Sequence, residues 1–278
     1  MQPEETQEKE PIPAPEETAT PPNVTESPKP TPNASGSLIF NDSAFEAAIR
    51  DMLGQKTGDV FPADVKALRN LRFIGQFYGA KDWFFINGYS ATQYFDENGQ
   101  VHTESGDIKD VSAISGIYGI ETFEISWQNN FNLDSVKNLK VGDLRLLHDN
   151  LTDISVLKGM STLWLLRLDS NDITDVSPLS GLPVSQLTLN NNPITDISPL
   201  AKMESLNYLE INGCPITNIS ALKGVKNLEY LGISGTNVTD ISVLKELPKL
   251  RTLSMINVKL DSKNEAILKE LSTLKIIR

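Results

Sequence analysis

A period of 21 or 22 residues runs through most of the chain and leaves it one kind of fold. Leu151, Ile173, Ile194, Ile216 and Val238 open successive units at intervals of 22, 21, 22 and 22 residues. Three residues on come Ile154, Val176, Ile197, Ile219 and Ile241, and then Leu157, Leu179, Leu200, Leu222 and Leu244. Each unit continues into a Leu-x-x-Leu-x-Leu stretch such as Leu163, Leu166, Leu168, and closes on Asn171, Asn192, Cys214, Thr236 or Val258. Ile108, Val111, Ile114, Ile117, Ile120, Phe123 and Ile125 form an earlier unit, and a degenerate one begins at Asn130. The register therefore predicts seven repeats over 108–259, then a terminal unit starting at Leu260.

Spacing dictates the local structure. Alternation at Leu166/Leu168, Leu187/Leu189, Leu209/Ile211 and Leu231/Ile233 has the period of a strand. Apolar residues three apart suit a return of tight 3₁₀ turns. One such coil cannot bury its apolar face alone, so coils must stack into a solenoid with a parallel sheet along one side. Asn171 and Asn192 fall where the chain leaves the strand and can satisfy backbone groups of the adjoining coil. Cys214 holds the same position and reads as a buried structural thiol.

The first 36 residues are of another kind, with nine of the sixteen prolines, much Glu and Thr, and few apolar side chains. Such a segment cannot offset its ordering entropy, so 1–37 is expected to be a disordered linker biased to polyproline II. Fully extended, it would reach on the order of 100 Å. Met1 beside Gln2 reads as a start residue placed on a shortened chain. The expectation is that an export signal has been removed and that the tail tethers the domain to a cell envelope. The net charge of −11 argues against nucleic acid and anionic membrane as partners. No apolar run is long enough to span a bilayer. One cysteine and two histidines exclude an internal disulfide and a Cys/His-rich metal site.

The units Leu151-Thr-Asp-Ile-Ser-Val-Leu157, Ile194-Thr-Asp-Ile-Ser-Pro-Leu200 and Val238-Thr-Asp-Ile-Ser-Val-Leu244 resemble the leucine-rich repeats of internalin-type bacterial surface proteins. The resemblance spans 38–278. It implies an α/β fold: a right-handed superhelical solenoid, parallel sheet on the concave face and 3₁₀ turns on the convex one, with a helical N-terminal cap and a helix-strand C-terminal cap. Phe40 to Leu53-Gly54 resembles the family's N-terminal cap, with Ser43 and Glu46 as a capping box and Gly54 as the helix stop. The cap would occupy 38–107 and carry an insertion, Trp83 to His102, read as a β-hairpin about Asn98-Gly99. Its Trp83, Phe84, Phe85 and Tyr94 are expected to cover the open N-terminal edge. Residues 260–278, opening on Asp261-Ser-Lys-Asn-Glu265, read as the closing cap.

Little points to catalysis. Phosphate-loop, HExxH and GxSxG motifs are all absent. The repeated Asp153, Asp175, Asp196 and Asp240 share one Asp-(Ile/Val)-Ser context, which suits turn capping. The reading is of a non-enzymatic module without metal or cofactor. Since Leu and Ile point inward, the residues between them and their flanks line the concave side. There Glu124, Trp127, Arg145, His148, Trp164, Leu165, Arg167, Tyr208, Glu210, Tyr230 and Arg251 are the candidate ligand-binding residues. Trp, Tyr and Arg are the types that dominate binding hot spots. A protein ligand, on a host surface or in the producer's own envelope, is expected, with a wall glycan as the alternative and no nucleic acid. The protein is expected to be a monomer, extracellular or at the cell surface, and not membrane-spanning.

Overall fold

A computed structural model describes residues 35–75, 77–79, 89–90, 93–95, 101–102, 105–128 and 130–278. The linker up to residue 34, the aromatic run Trp83, Phe84, Phe85, the side chain of Tyr94 and the turn Asn98-Gly99 lie outside the described residues.

Helix α1 (Ser43–Leu53) opens the cap. Its N-cap is Asp42, one residue before the expected Ser43: the carboxylate accepts from Phe45 N, while Glu46 pairs with Arg50 at 2.8 Å. The second Asp42 oxygen accepts from Lys109 N and Asp110 N, at 2.6 and 3.2 Å, and so staples the cap to the first repeat. A carboxylate reaches both places where a hydroxyl would reach one. Gly54 ends the helix with φ 66°. Helix α2 (Pro62–Leu68) starts on a proline, with Asp64 accepting from Phe61 N at 2.8 Å.

The main sheet contains β1 (Asn70–Ile74), β2 (Phe77–Gly79), β6 (Thr122–Ser126), β7 (Asp143–Leu147), β8 (Leu165–Arg167), β9 (Gln186–Thr188), β10 (Tyr208–Glu210), β11 (Tyr230–Gly232), β12 (Thr252–Ser254) and β13 (Lys275–Ile277). Its order is β13-β12-β11-β10-β9-β8-β7-β6-β1-β2, antiparallel only at β1–β2 and parallel elsewhere. Strands β3 (Tyr89–Ser90), β4 (Gln93–Phe95) and β5 (Val101–His102) form a small antiparallel sheet of their own, with Phe95 opposite Val101. Opposite the main sheet run 3₁₀ turns, such as Ser177–Leu179 and Ser220–Gly224. Helix α3 (Ser262–Glu270), capped by Asp261, and strand β13 close the far end.

Consecutive coils share a core with no break, in which Leu166, Leu187, Leu209 and Leu231 are each 0% exposed. The turns beneath it are capped as their sequence context requires. Asp153, Asp175, Asp196 and Asp240 each accept, at 2.8 Å, from the backbone N–H of the serine two residues on, and Asn218 does the same for Ser220. These bonds hold the Asp175 and Asp240 carboxyls below the usual carboxylate range.

Past the ends of β6, β8, β9 and β10, a buried side chain ties its coil to a neighbouring one. Asn171 Oδ1 accepts from Asp149 N and Leu151 N, while its Nδ2 donates to the carbonyls of Leu146 and Leu168 at 2.9 and 3.0 Å. Asn192 repeats this with Ile173 N, Leu168 O and Leu189 O. Cys214 follows, its Sγ 3.2 Å from Leu189 O and its thiol pushed up to about 11 by burial. Towards the N-terminus, Gln128 spans Ile108 N, Gly75 O and Ser126 O.

Between Gln128 and Asn171 the position belongs to Asp149. Its Oδ1 accepts from Gln128 N at 3.0 Å, whereas its buried Oδ2 has no hydrogen-bond partner. An amide nitrogen would donate there to main-chain carbonyls, and an ionised carboxylate cannot. Burial, with Glu124 adding to it, pushes this carboxyl well above the usual carboxylate range.

Two outcomes follow. Leu209→Ala should lower stability by about 2–5 kcal/mol, read by chemical unfolding, because the vacated space lies between two packed coils. For Asp149, the neutral form is the one the fold accepts. Its contribution is fully present below the unfolded carboxyl's range and is lost as pH rises through the elevated folded value. Asp149→Asn should therefore raise the melting temperature at pH 7 and change it little at pH 3.5; equal effects at both would refute the assignment.

Candidate binding face

Strand register aligns the outward side chains in columns. One runs Asp143, Leu165, Gln186, Tyr208, Tyr230, Thr252; the next but one along the strand runs Arg72, Glu124, Arg145, Arg167, Thr188, Glu210. Of the sequence-predicted residues, Glu124, Arg145, Leu165, Arg167, Tyr208, Glu210 and Tyr230 fall in these columns, but they do not have one character.

At the N-terminal end the face is closed by charge. Glu124, 2% exposed, stands between Arg72 at 3.8 Å and Arg145 at 3.7 Å. Arg145 in turn grips Asp143 through two bonds of 2.9 and 2.6 Å. Removing one member of such a chain leaves a buried charge uncompensated, so these residues hold the sheet together. Leu165 is 6% exposed and offers a ligand little surface. Arg167 and Arg251 are exposed, the latter 4.0 Å from Glu229, a distance worth little in water.

The centre is aromatic and open. Tyr208 and Tyr230 stack with ring centroids 4.3 Å apart and planes 8° from parallel. Tyr208 Oη donates to Glu210, whose other oxygen accepts from Asn190 Nδ2 at 2.9 Å. Asn190 Oδ1 takes Asn212 N at 2.8 Å, and Asn212 Oδ1 takes Ser234 N at 2.7 Å, so the pair rests on a hydrogen-bonded rail across coils. Burial, then the Glu210 carboxylate, raises the Tyr208 phenol, which stays a neutral donor. Trp164 is 49% exposed at the adjoining edge of the sheet. Gly142 in the preceding coil makes room for it, since a methyl there would collide with the indole.

Trp127 and His148 lie beyond their strands, at the first residue of the turn, in left-handed backbone with φ 60° and 58°. Their rings stack at 4.6 Å. Trp127 is 8% exposed, and burial lowers the His148 imidazole to about 4, leaving it neutral at physiological pH. Sequence reasoning missed Asp169, whose carboxylate accepts from Thr188 Oγ1 and from Asn190 N and whose pKa burial raises. It also missed Asp149, although an acid 22 residues before Asn171 was there to be read.

Among the described residues, no group of three or more His, Cys, Asp or Glu is placed to hold a metal ion. Likewise, no described helix is long and apolar enough to cross a membrane.

Residues 185–224 match a family model described as two copies of leucine-rich repeats. No curated protein matches the chain in sequence. Among solved structures, internalin C2 of Listeria monocytogenes is similar at 24% identity and TM-score 0.64, over 90% of this chain and 97% of that one. A leucine-rich-repeat protein of Leptospira interrogans is similar at 18% identity and TM-score 0.51, over 63% of this chain and 53% of that one. A further Listeria monocytogenes internalin aligns at 19% identity and TM-score 0.45, over 88% and 92% of the two chains. Residues 185–224 are thus leucine-rich repeats in sequence, and the chain has the leucine-rich-repeat solenoid fold seen in internalin C2.

Proposed function

We propose that the chain is a non-enzymatic recognition module that binds a protein ligand through the centre of its concave face. The observation that carries this reading is the Tyr208–Tyr230 stack, held by Glu210 and half-exposed on a surface where the core does not need it. Rings already fixed by their neighbours lose little further freedom on binding, so their buried area converts efficiently into affinity. Trp164 extends the patch on one side, and Arg167 and Arg251 supply exposed guanidinium groups around it. Glu124, Arg145 and Leu165 act as support for this surface, not as contacts.

In this reading the protein works outside the cell, with the proline-rich residues before Gly36 as a spacer between an attachment point and the binding domain. The composition of that segment supports the spacer, and the internalin-type fold supports a bacterial surface protein acting as an adhesin.

A paired capture experiment tests the proposal. Host-cell surface extract and the producer's own cell-wall fraction are presented to the full chain and to its Trp164→Ala/Tyr208→Ala/Tyr230→Ala variant. A protein retained from the host extract by the unsubstituted chain alone is the expected result; capture of a wall component in its place moves the function to envelope assembly. With the retained protein purified, Tyr208→Ala and Trp164→Ala should each weaken binding by about 1–3 kcal/mol without changing the melting temperature. Unchanged affinity in both variants would remove the patch from consideration.

A further inference from the structure

Two of the large apolar side chains that stand out into solvent among the described residues meet on one flank of the N-terminal cap. Ile39 and Tyr118, 47% and 67% exposed, line an open groove of about 430 Å³ together with Leu38, Pro62, Lys66 and Ile117. A third, Phe61, directly precedes Pro62 in the chain. Single exposed apolar residues are ordinary, whereas several gathered around a concave surface mark an interaction site. Lys66 is the one charged side chain among the described lining residues. Its stem lies against Gly119, where a methyl would collide with it, and it forms no ion pair with another described residue.

The chain enters the cap beside this groove. Ser35 Oγ donates to Asp59 at 3.1 Å and Leu38 N to Val60 O at 2.7 Å, and between them Gly36 turns the backbone with φ 81°. Asp59 and Val60 lead straight into Phe61 and Pro62, so residues 1–34 join the described structure next to the groove wall. Their sequence holds Pro28-Lys-Pro30-Thr-Pro32, ending three positions before Ser35, and seven Glu against two Lys. At about 3.1 Å per residue, Pro32 lies within roughly 10 Å of Ser35.

We infer that this groove is the docking site of the chain's own proline run, residues 28–32, which doubles back at Gly36 to lie against Ile39 and Tyr118. Alternate prolines fix φ in advance, so this run loses less freedom on docking than an ordinary segment would. Proline rings also pack well on apolar walls that include an aromatic ring. Lys66 is the partner for Glu26, two residues before the run, and the surplus of Glu over Lys in residues 1–34 suits a groove with no acid among its described lining residues. Tethering supplies the rest: at an effective concentration on the order of millimolar, even a weak contact is filled. Docking removes the apolar groove from solvent, fixes the flank from which the chain leaves the cap, and leaves residues 1–25 as the spacer. The groove shares no residue with the Tyr208–Tyr230 patch, so the inference stands whether or not a ligand binds there.

Backbone ¹⁵N order parameters of the full chain at Ser27, Lys29 and Thr31 test the inference. Docking should give values of about 0.85 at Lys29 and Thr31, and Tyr118→Ser should bring them below about 0.6 without changing the melting temperature. A second variant, Pro28→Ser/Pro30→Ser/Pro32→Ser, alters nothing in the cap and keeps the test decisive if the Tyr118 variant is unstable. It should shift the methyl signals of Ile39 and Ile117 while leaving those of Leu209 and Leu231 in place. Values below about 0.6 at all three residues of the unsubstituted chain would overturn the inference. So would order that survives Tyr118→Ser, or groove methyls indifferent to the proline substitutions. Order that vanishes on dilution, with sedimentation changing from dimer to monomer, would assign the groove to the proline run of a second copy and overturn it as well.

Discussion

Every coil must turn away from its strand with main-chain groups inside the protein, and Gln128, Asn171 and Asn192 satisfy them where their coils turn. The rest of the structure depends on that bond set. Asn171 and Asn192 each offer an acceptor to one stretch of backbone and a donor to two carbonyls, one of them in the coil before. An unpartnered buried polar group costs about 1–3 kcal/mol, so a solenoid that left this position unfilled would lose stability with every coil added. With the position filled, stacking proceeds at constant register and the leucines of consecutive strands meet without offset.

The same position shows how far the requirement can bend. Cys214 supplies only a thiol to Leu189 O, and Thr236 turns its hydroxyl back to Ile233 O in its own coil. Both are small enough to pack where an amide fits. Asp149 is the other extreme: it has the shape of asparagine, and as an ionised group it lacks the donor. Its neighbourhood also contains Glu124, whose charge is already committed to Arg72 and Arg145. A proton on Asp149 restores the missing donor. In this coil, stacking is therefore coupled to an acid–base equilibrium.

Most of the architecture was legible because a period repeated many times leaves no freedom in assigning strand, turn and inward face. Leu209 and Ile211 are buried where alternation put them, and the Asp-(Ile/Val)-Ser turns cap as their spacing implied. What the pattern could not convey was competition among outward residues. Glu124 and Tyr208 are equivalent in sequence terms, both between ladder positions. Yet Glu124 has arginines on both sides and is buried, while Tyr208 has a second tyrosine beside it and stays half-exposed. Such neighbours come from different coils, and only the register brings them together. Trp127 and His148 flank their strands, one step beyond β6 and β7, where the backbone turns left-handed, and the sequence pattern carries no sign of that turn. The cap was displaced by one residue for a related reason: Asp42 is bonded to the first repeat as well as to its own helix, and the second bond is invisible in local sequence.

A rigid face with two textures follows from these choices. Toward the N-terminal cap, the outward columns are spent on ion pairs that stiffen the sheet, with Arg145 and Asp143 joined by two bonds and Glu124 enclosed. Toward the centre, the outward side chains bond to one another in a rail from Glu210 through Asn190 and Asn212 to Ser234, and this rail leaves the tyrosine rings uncovered. Stiffness in the first region serves exposure in the second. A parallel sheet whose neighbouring coils could slip would let the stacked tyrosines turn their outer faces onto neighbouring side chains, and that surface would be lost to the protein itself. The ion pairs and the amide ladder prevent that slip from opposite sides of the strands, so an apolar surface remains open to solvent on a protein that could otherwise bury it.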